Sequence, residues 1–364
     1  MEKLKNFFSV RCLLELALIT ILYRSFEIAG IKKYAVAIVF CLALLFIARK
    51  KQWSMNVLSI GIPAVVYIAI GCLSGCFHGT YQFDTVKIIL YTILSFAMAL
   101  AVYIYYDKDL SCIIDIQFWG CCIVYLSLTI VYMVTRFARV ESTFAFVFGI
   151  FTIYFAYQKR WGMLTISSIF MYLADKRIVL LAVAAGLFVL GILWLFRYNK
   201  KLVYVIWSGA AVCVFMYLYL IVSGTLEAFC WGANINTNGR VEMFGRMANE
   251  FATGVFGSGL GVVENLLSCW DITVFANLHN DLLKFYIELG MFGLGLYLIS
   301  YIVMFHFVGK HYGKSKMGLV LAISIYTLLL FATDNVSIYV MYLFPMYSVV
   351  FAAFSEQKTV KLQG

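Results

Sequence analysis

Charged side chains are scarce in this chain, at 13% against 64% hydrophobic, with a mean hydropathy of +0.93. That leaves too little polar surface to wrap a soluble core, so a bilayer is the solvent the sequence suits. Strict alternation of apolar and polar residues in segments of about ten is also missing, which argues against a transmembrane barrel. The ten cysteines lack the paired CxxC spacing of a metal site, and most fall in apolar runs, where a free thiol acts as a small hydrophobe. The outer loops hold no acidic pair or histidine cluster suited to a metal, so neither metal nor cofactor is expected. No internal repeat is visible. The first apolar run lacks a small-residue cleavage pattern and reads as a retained span.

What the chain has instead is long apolar runs. A span takes roughly 20 residues, and 364 residues leave room for about a dozen. Candidates run near 12–30, 34–48, 55–74, 86–105, 112–134, 142–157, 162–174, 178–196, 202–222, 281–307, 317–332 and 337–354. The expected fold is therefore all-α, a polytopic transmembrane helical bundle of 11–12 spans. Segments 1–222 and 281–364 are its two blocks of transmembrane helices, and 223–280 is a long loop between them. The run 162–174 is short for a span, and is expected to tilt or to pair with 178–196 as a shallow hairpin.

A formal charge of +10 raises the question of nucleic acid, but most of the 28 Lys and Arg sit in short hairpins between spans, as cytoplasmic anchors do. Nucleic acid is therefore not an expected partner. The same asymmetry puts both termini in the cytoplasm and the 223–280 loop outside. Six basic residues then fall on the outer side, where cations are usually sparse: Arg136, Arg139, Lys176, Arg177, Arg240 and Arg246. Local pairing with Glu141, Asp175, Glu242 and Glu250, or snorkelling to lipid headgroups, is the plain explanation. The sharper one is convergence of Arg139, Arg177 and Arg240 on a single pocket. Planar, permanently charged guanidinium groups suit phosphate oxygens.

Within the loop, Val241, Phe244, Met247, Ala248 and Phe251 recur at helical spacing and predict an amphipathic helix, capped by Asn238 and ended by Gly254. Arg240 falls in its first turn, where free amides already make the potential positive, a placement that favours an anion docking there. The glycines at 254, 257, 259 and 261 follow no strand and precede no GK[ST], so they read as a tight turn that allows close backbone approach. His279 stands at the start of a long helix that Asn280 or Asp281 can cap. The positive helix end favours a neutral ring able to take a proton from a hydroxyl, against the blander reading of an interfacial hydrogen-bonding residue. Cys230 and Cys269 are placed to form a disulfide if the loop faces outward. Tyr81, Phe83, Phe229, Trp231 and Trp270 suit stacking on sugars, although interfacial aromatic belts are the commoner reason for such residues.

Taken together, GRVEMFGRMANEF, GVFGSGLGVVEN and ANLHNDLLKFYIELGMFGLGLYL resemble the C-terminal signature of the O-antigen polymerase and O-antigen ligase superfamily of bacterial membrane glycosyltransferases. The order and spacing of Gly239-Arg240, Gly257 to Gly261, His279-Asn280 with Leu283, and Glu288 with Gly290 and Gly293 carry the resemblance. LADKRIVLLAVAAG is similar to a further family segment, with Lys176 standing where serine is common. Arg139 before Ser-Thr-Phe is similar to another, without the usual asparagine.

The resemblance implies a GT-C-like bundle in the bacterial cytoplasmic membrane. It implies inverting, metal-independent transfer of glycan from undecaprenyl diphosphate at the outer leaflet. The acceptor hydroxyl would belong to another lipid-linked repeat unit in a polymerase, the preferred reading, or to lipid A core in a ligase. The expected catalytic residues are Arg240 and Arg177 on the diphosphate and His279 on the acceptor hydroxyl. Arg139, Arg246, Arg136, Lys176 and Asn280 are the expected substrate-binding residues. A chain-length regulator and a flippase are the partners such an enzyme would have, besides membrane lipid. A lipid-linked sugar flippase or secondary transporter is the alternative of another class, with Glu15, Asp115 and Lys284 as its nearest intramembrane charges.

Overall fold

Every apolar run described in the structure satisfies its backbone within itself as a helix, the arrangement that hydrocarbon demands of a spanning segment. The computed structural model describes residues 10–26, 55–80, 83–106, 110–136, 142–235, 237, 239–251, 254–269 and 278–355. The helices are α1 (Val10–Phe26), α2 (Ile62–His78), α3 (Phe83–Tyr106), α4 (Leu110–Arg136), α5 (Phe144–Tyr157), α6 (Trp161–Leu173), α7 (Arg177–Leu195) and α8 (Lys200–Val222). Three short helices, α9 (Thr225–Gly232), α10 (Arg240–Glu250) and α11 (Val262–Cys269), precede α12 (Asp281–His311), α13 (Lys314–Phe331) and α14 (Val340–Ser355). No strand occurs among the described residues.

Over its described residues each predicted span coincides with a helix, apart from 34–48, which lies outside them, and fewer than twelve of the described helices have span length. Among the described residues seven helices are long and apolar enough to cross a membrane, starting at Asn56, Asp84, Leu110, Arg177, Lys200, Asp281 and Lys314. The helices α5, α6 and α14 have 14, 13 and 16 residues. At about 1.5 Å per residue such lengths fall short of a hydrocarbon core of about 30 Å.

The chain forms two compact units, one of residues 1–57, 94–190 and 340–364, the other of 58–93 and 191–339. In the first, α5 is apolar all round and its residues from Phe144 to Phe155 are all buried, as a helix without a polar face must be. The ring of Phe118 meets those of Phe148, Phe151, Phe155 and Phe170. The Thr152 hydroxyl lies 2.8 Å from that of Ser167, which ties α6 to α5. The expected shallow hairpin of 162–174 with 178–196 is therefore replaced by one of α5 with α6. Small and hydroxyl side chains on these facing helices let them approach, and Phe170 fills the remaining gap against Phe148 at 5.3 Å.

In the second unit, α12 packs along α2 and also meets α8 and α13. Trp207 on α8 donates from Nε1 to the Leu298 carbonyl of α12 at 2.9 Å, and its ring stacks on Tyr301. Two of the charges that suggested transport are structurally paired. Asp115 receives both guanidinium nitrogens of Arg160 at 2.7 and 2.8 Å, and the Lys284 ammonium meets Glu264.

Candidate active site

The second unit is built around a break in its longest helix. Gly290 has φ 72° and ψ 175°, so the ladder of α12 is interrupted there and leaves carbonyls and amides without helical partners. The glycine-rich turn supplies them. Ser258 and Gly259 donate their amides to the carbonyls of Ile287 and Glu288 at 2.9 and 3.0 Å. Met291 and Phe292 donate to the carbonyls of Gly254 and Val255 at 3.3 and 3.1 Å. A Cβ on Gly257 would run into the Glu288 carbonyl, which is why this contact needs a residue without one. The tight turn read in the sequence is thus a plug in a discontinuous helix.

Side chains lock the plug. Glu288, fully buried, accepts from Tyr67 Oη at 2.7 Å and from the Gly261 amide at 2.8 Å. Thr80 and Thr85 donate their hydroxyls to the carbonyls of Ser258 and Leu260 at 2.5 and 2.6 Å. The Lys284 to Glu264 pair joins α12 to α11, at the far end of the same loop.

At its other end α12 presents His279. Asn280 caps the helix, its Oδ1 accepting from the Leu283 amide at 3.0 Å, as the sequence allowed. Asn280 is fully buried, and its Nδ2 donates to Tyr217 Oη at 2.9 Å. Asp281 takes no capping role. Its carboxylate accepts from the amide and hydroxyl of Ser337, both at 2.7 Å, so the start of α12 is stapled to the turn after α13. His279, between these anchors, is held at φ 54°, a region uncommon for residues other than glycine. Its Nδ1 is buried and lies 3.6 Å from Asp334 Oδ1, with no hydrogen bond to it. The Asp334 carboxylate is itself buried and fixed by the Asn335 amide at 2.9 Å. At that separation the carboxylate acts on the ring through its charge and not through a hydrogen bond, an arrangement that can support proton transfer at the other nitrogen.

The cations divide between the units. Arg240 opens α10 and is exposed, and Arg246 is exposed two turns on, both in the second unit with His279 and Asn280. Arg177 opens α7 in the first unit and is exposed too. Among the described residues neither Arg177 nor Arg240 makes an ion pair, so the local pairing with Asp175 and Glu242 is not made. Lys176 is half-buried, with its ammonium 4.8 Å from the centre of the Phe146 ring. The Ser142 amide donates to the Ala174 carbonyl at 3.0 Å, which brings the chain just beyond Arg139 beside the chain just before Arg177. Arg139 and Glu141 lie outside the described residues, and of Arg136 only the backbone, at the end of α4, is described.

The amphipathic helix is present with its predicted face inward. Val241, Phe244, Met247 and Ala248 are buried, joined by Met243, whereas Phe251, also expected on that face, lies just past the helix end and is half-buried. Its cap differs from expectation. Gly239, at φ 74°, occupies the N-cap without a side-chain bond, and the helix stops at Glu250 rather than Gly254. Asn238 lies outside the described residues. A left-handed backbone before Arg240 suits glycine, so the GR pair is a conformational requirement as well as a charge. Cys230 carries a free thiol, and the Cys269 side chain lies outside the described residues.

A family model described as O-antigen ligase matches residues 161–298. The matched stretch runs from α6 into α12, and holds Lys176, Arg177, Arg240, Arg246, His279, Asn280, the plug and the break at Gly290. Arg136, Arg139 and Asp334 fall outside it. A search among curated proteins finds no match. The chain is thus a multi-pass, all-α membrane protein with a domain similar to O-antigen ligases, and so to proteins of glycan transfer.

Asp334 is the residue that sequence reasoning missed. The only signal was an Asp-Asn pair in FATDNVSIY, polar residues interrupting an apolar stretch, and nothing in the spacing linked them to His279.

Proposed function

We propose that this protein transfers a glycan from a polyprenyl diphosphate to an acceptor hydroxyl at the outer leaflet. The observation that supports this best is His279, set on a strained turn with Asp334 behind its Nδ1, inside a stretch similar to O-antigen ligases. In this reading His279 Nε2 takes the proton from the acceptor hydroxyl. The oxygen attacks the anomeric carbon from the face opposite the diphosphate, the bond from that carbon to the phosphate oxygen breaks, and configuration inverts. Arg240 and Arg177 receive the charge that gathers on the leaving diphosphate, with Arg246, Arg139, Arg136 and Lys176 helping on phosphate or glycan. Asn280 acts by holding the turn that aims the histidine.

Of the two acceptors, the description of the matched family favours lipid A core, the ligase reaction, over a second lipid-linked repeat unit. The test is reconstitution of the purified chain with a polyprenyl-diphosphate-linked oligosaccharide and both acceptors, read by mass spectrometry of the products. Glycan on lipid A core supports ligase activity, and glycan on a second carrier replaces it with polymerase activity. Repeat units that cross a bilayer without product in either case overturn the enzyme reading.

A further inference from the structure

Between α9 and α10 lies a cavity of about 360 Å³, within the second unit and distinct from the plug and the histidine turn. Its size suits a small molecule, since ligand pockets run from about 300 to 1,000 Å³. Its lining combines polar side chains with one indole. Trp231 is 70% exposed, and an indole held at a cavity wall offers a flat apolar face with a polar edge. Glu227, Asn234, Thr237 and Glu242 supply the polar groups.

These groups are positioned rather than loose. Asn234 sits at φ 51° on the turn leaving α9, its amide bonded to the Trp231 carbonyl at 3.1 Å. Thr237 donates its hydroxyl to Glu242 at 3.2 Å, across the turn into α10. Glu227 reaches over α10 at Gly245, where a Cβ would lie 3.3 Å from its Oε2. Carboxylates accept hydroxyl protons, and a carboxamide both donates and accepts. Planar acceptors around a ring-sized space beside an exposed indole suit a molecule with one apolar face and a rim of hydroxyls. Gly239 also lines the cavity and is followed directly by Arg240, so the space adjoins the residue proposed for the diphosphate.

We infer that this cavity is a carbohydrate subsite for a sugar that carries no negative charge, with Trp231 as its stacking face and Glu227, Asn234 and Glu242 as hydroxyl partners. Among the described residues the lining holds two carboxylates and no cation, so an acidic sugar meets like charge there, whereas a neutral, N-acetylated or amino sugar does not. A second cavity of about 450 Å³ shares Glu227 and adds Arg246 and Asn249, which leaves room for a further ring. The inference deepens the glycan-transfer reading and rests on it for the source of the sugar.

Binding without turnover tests it. The full chain in detergent micelles is titrated with cellobiose, maltose, lactose, N,N′-diacetylchitobiose and chitosan disaccharide, and with digalacturonic acid, by saturation-transfer NMR and by indole fluorescence. At least one uncharged or amino disaccharide is expected to bind while digalacturonic acid does not. Trp231→Ala, at an exposed position, is expected to weaken that binding tenfold or more with an unchanged melting temperature. Glu227→Gln combined with Glu242→Gln is expected to admit digalacturonic acid. Absence of binding by all of these disaccharides, binding of digalacturonic acid equal to the neutral ones, or unaltered affinity in Trp231→Ala would each overturn the subsite. Those results leave the transfer reading standing, since that reading fails only if the wild-type chain makes no glycan product.

Discussion

The Nδ1 atom of His279 faces the Oδ1 atom of Asp334 across 3.6 Å, one on the turn before α12 and the other on the turn after α13. The two turns are bound to each other by Asp281 and Ser337, so the spacing is set by the scaffold and not by the two side chains alone.

Replacing His279 with Ala should lower transfer by about 10²–10⁴-fold, the range for loss of a general base. Asp334→Asn keeps the shape and removes the charge behind the ring. It is expected to lower kcat by roughly 10–10³-fold with little change in KM, because the carboxylate acts through the histidine and not on substrate. Equal activity of Asp334→Asn and wild type in the reconstituted assay would exclude this role.

The exposed guanidinium groups give a different signature. Arg240→Ala and Arg177→Ala remove side chains with no ion pair among the described residues, so melting temperature should stay within a degree or two of wild type. Transfer should fall by about one to two decades for each, on the basis of about 1.5–3 kcal/mol per charge-assisted contact. Arg240→Lys should restore only part of the loss, since an ammonium does not bind two phosphate oxygens side by side.

Glycine substitutions separate the helix break from the helix itself. Gly257→Ala drives a methyl group into the Glu288 carbonyl and must dislodge the plug, costing about 1–3 kcal/mol or more. Gly295→Ala, on the continuous part of α12 with nothing within 4 Å of the added carbon, should be neutral or slightly stabilising. Thermal melts of the two variants in the same detergent provide the comparison, and equal stabilities would show that the plug is not a tight fit.

The polar lock can be apportioned in the same way. Glu288→Ala leaves both the Tyr67 hydroxyl and the Gly261 amide without their acceptor, at about 1–3 kcal/mol for each buried group. Lys284→Met breaks the buried pair with Glu264 and is expected to cost about 3–5 kcal/mol. Adding Glu264→Gln to Lys284→Met should recover part of it, a coupling that a double-mutant cycle measures directly.

The helices were legible in the sequence because an apolar run of span length has only one way to satisfy its backbone in hydrocarbon. The start of α12 and the inward face of α10 were legible too, since capping at Asn280 and the 3.6-residue period are local rules. Which apolar runs reach span length was not, because α5, α6 and α14 are as apolar as a span but shorter, and of these α5 and α14 are buried by neighbours while α6 leaves Trp161, Ile169, Tyr172 and Leu173 exposed. The pairing of α6 with α5 rested on a hydroxyl contact that no periodicity reveals.

For the site, the sequence by itself determined which residue types were present: arginines in and before the long loop, a histidine at a helix start, glycines at tight spacing. Tertiary structure alone decided that the glycine turn fills a gap in α12 and that Asp334 stands behind His279. Both are contacts between segments distant along the chain. Their formation depends on how packed helices bring carbonyls, amides and carboxylates within reach, and only the fold fixes that geometry.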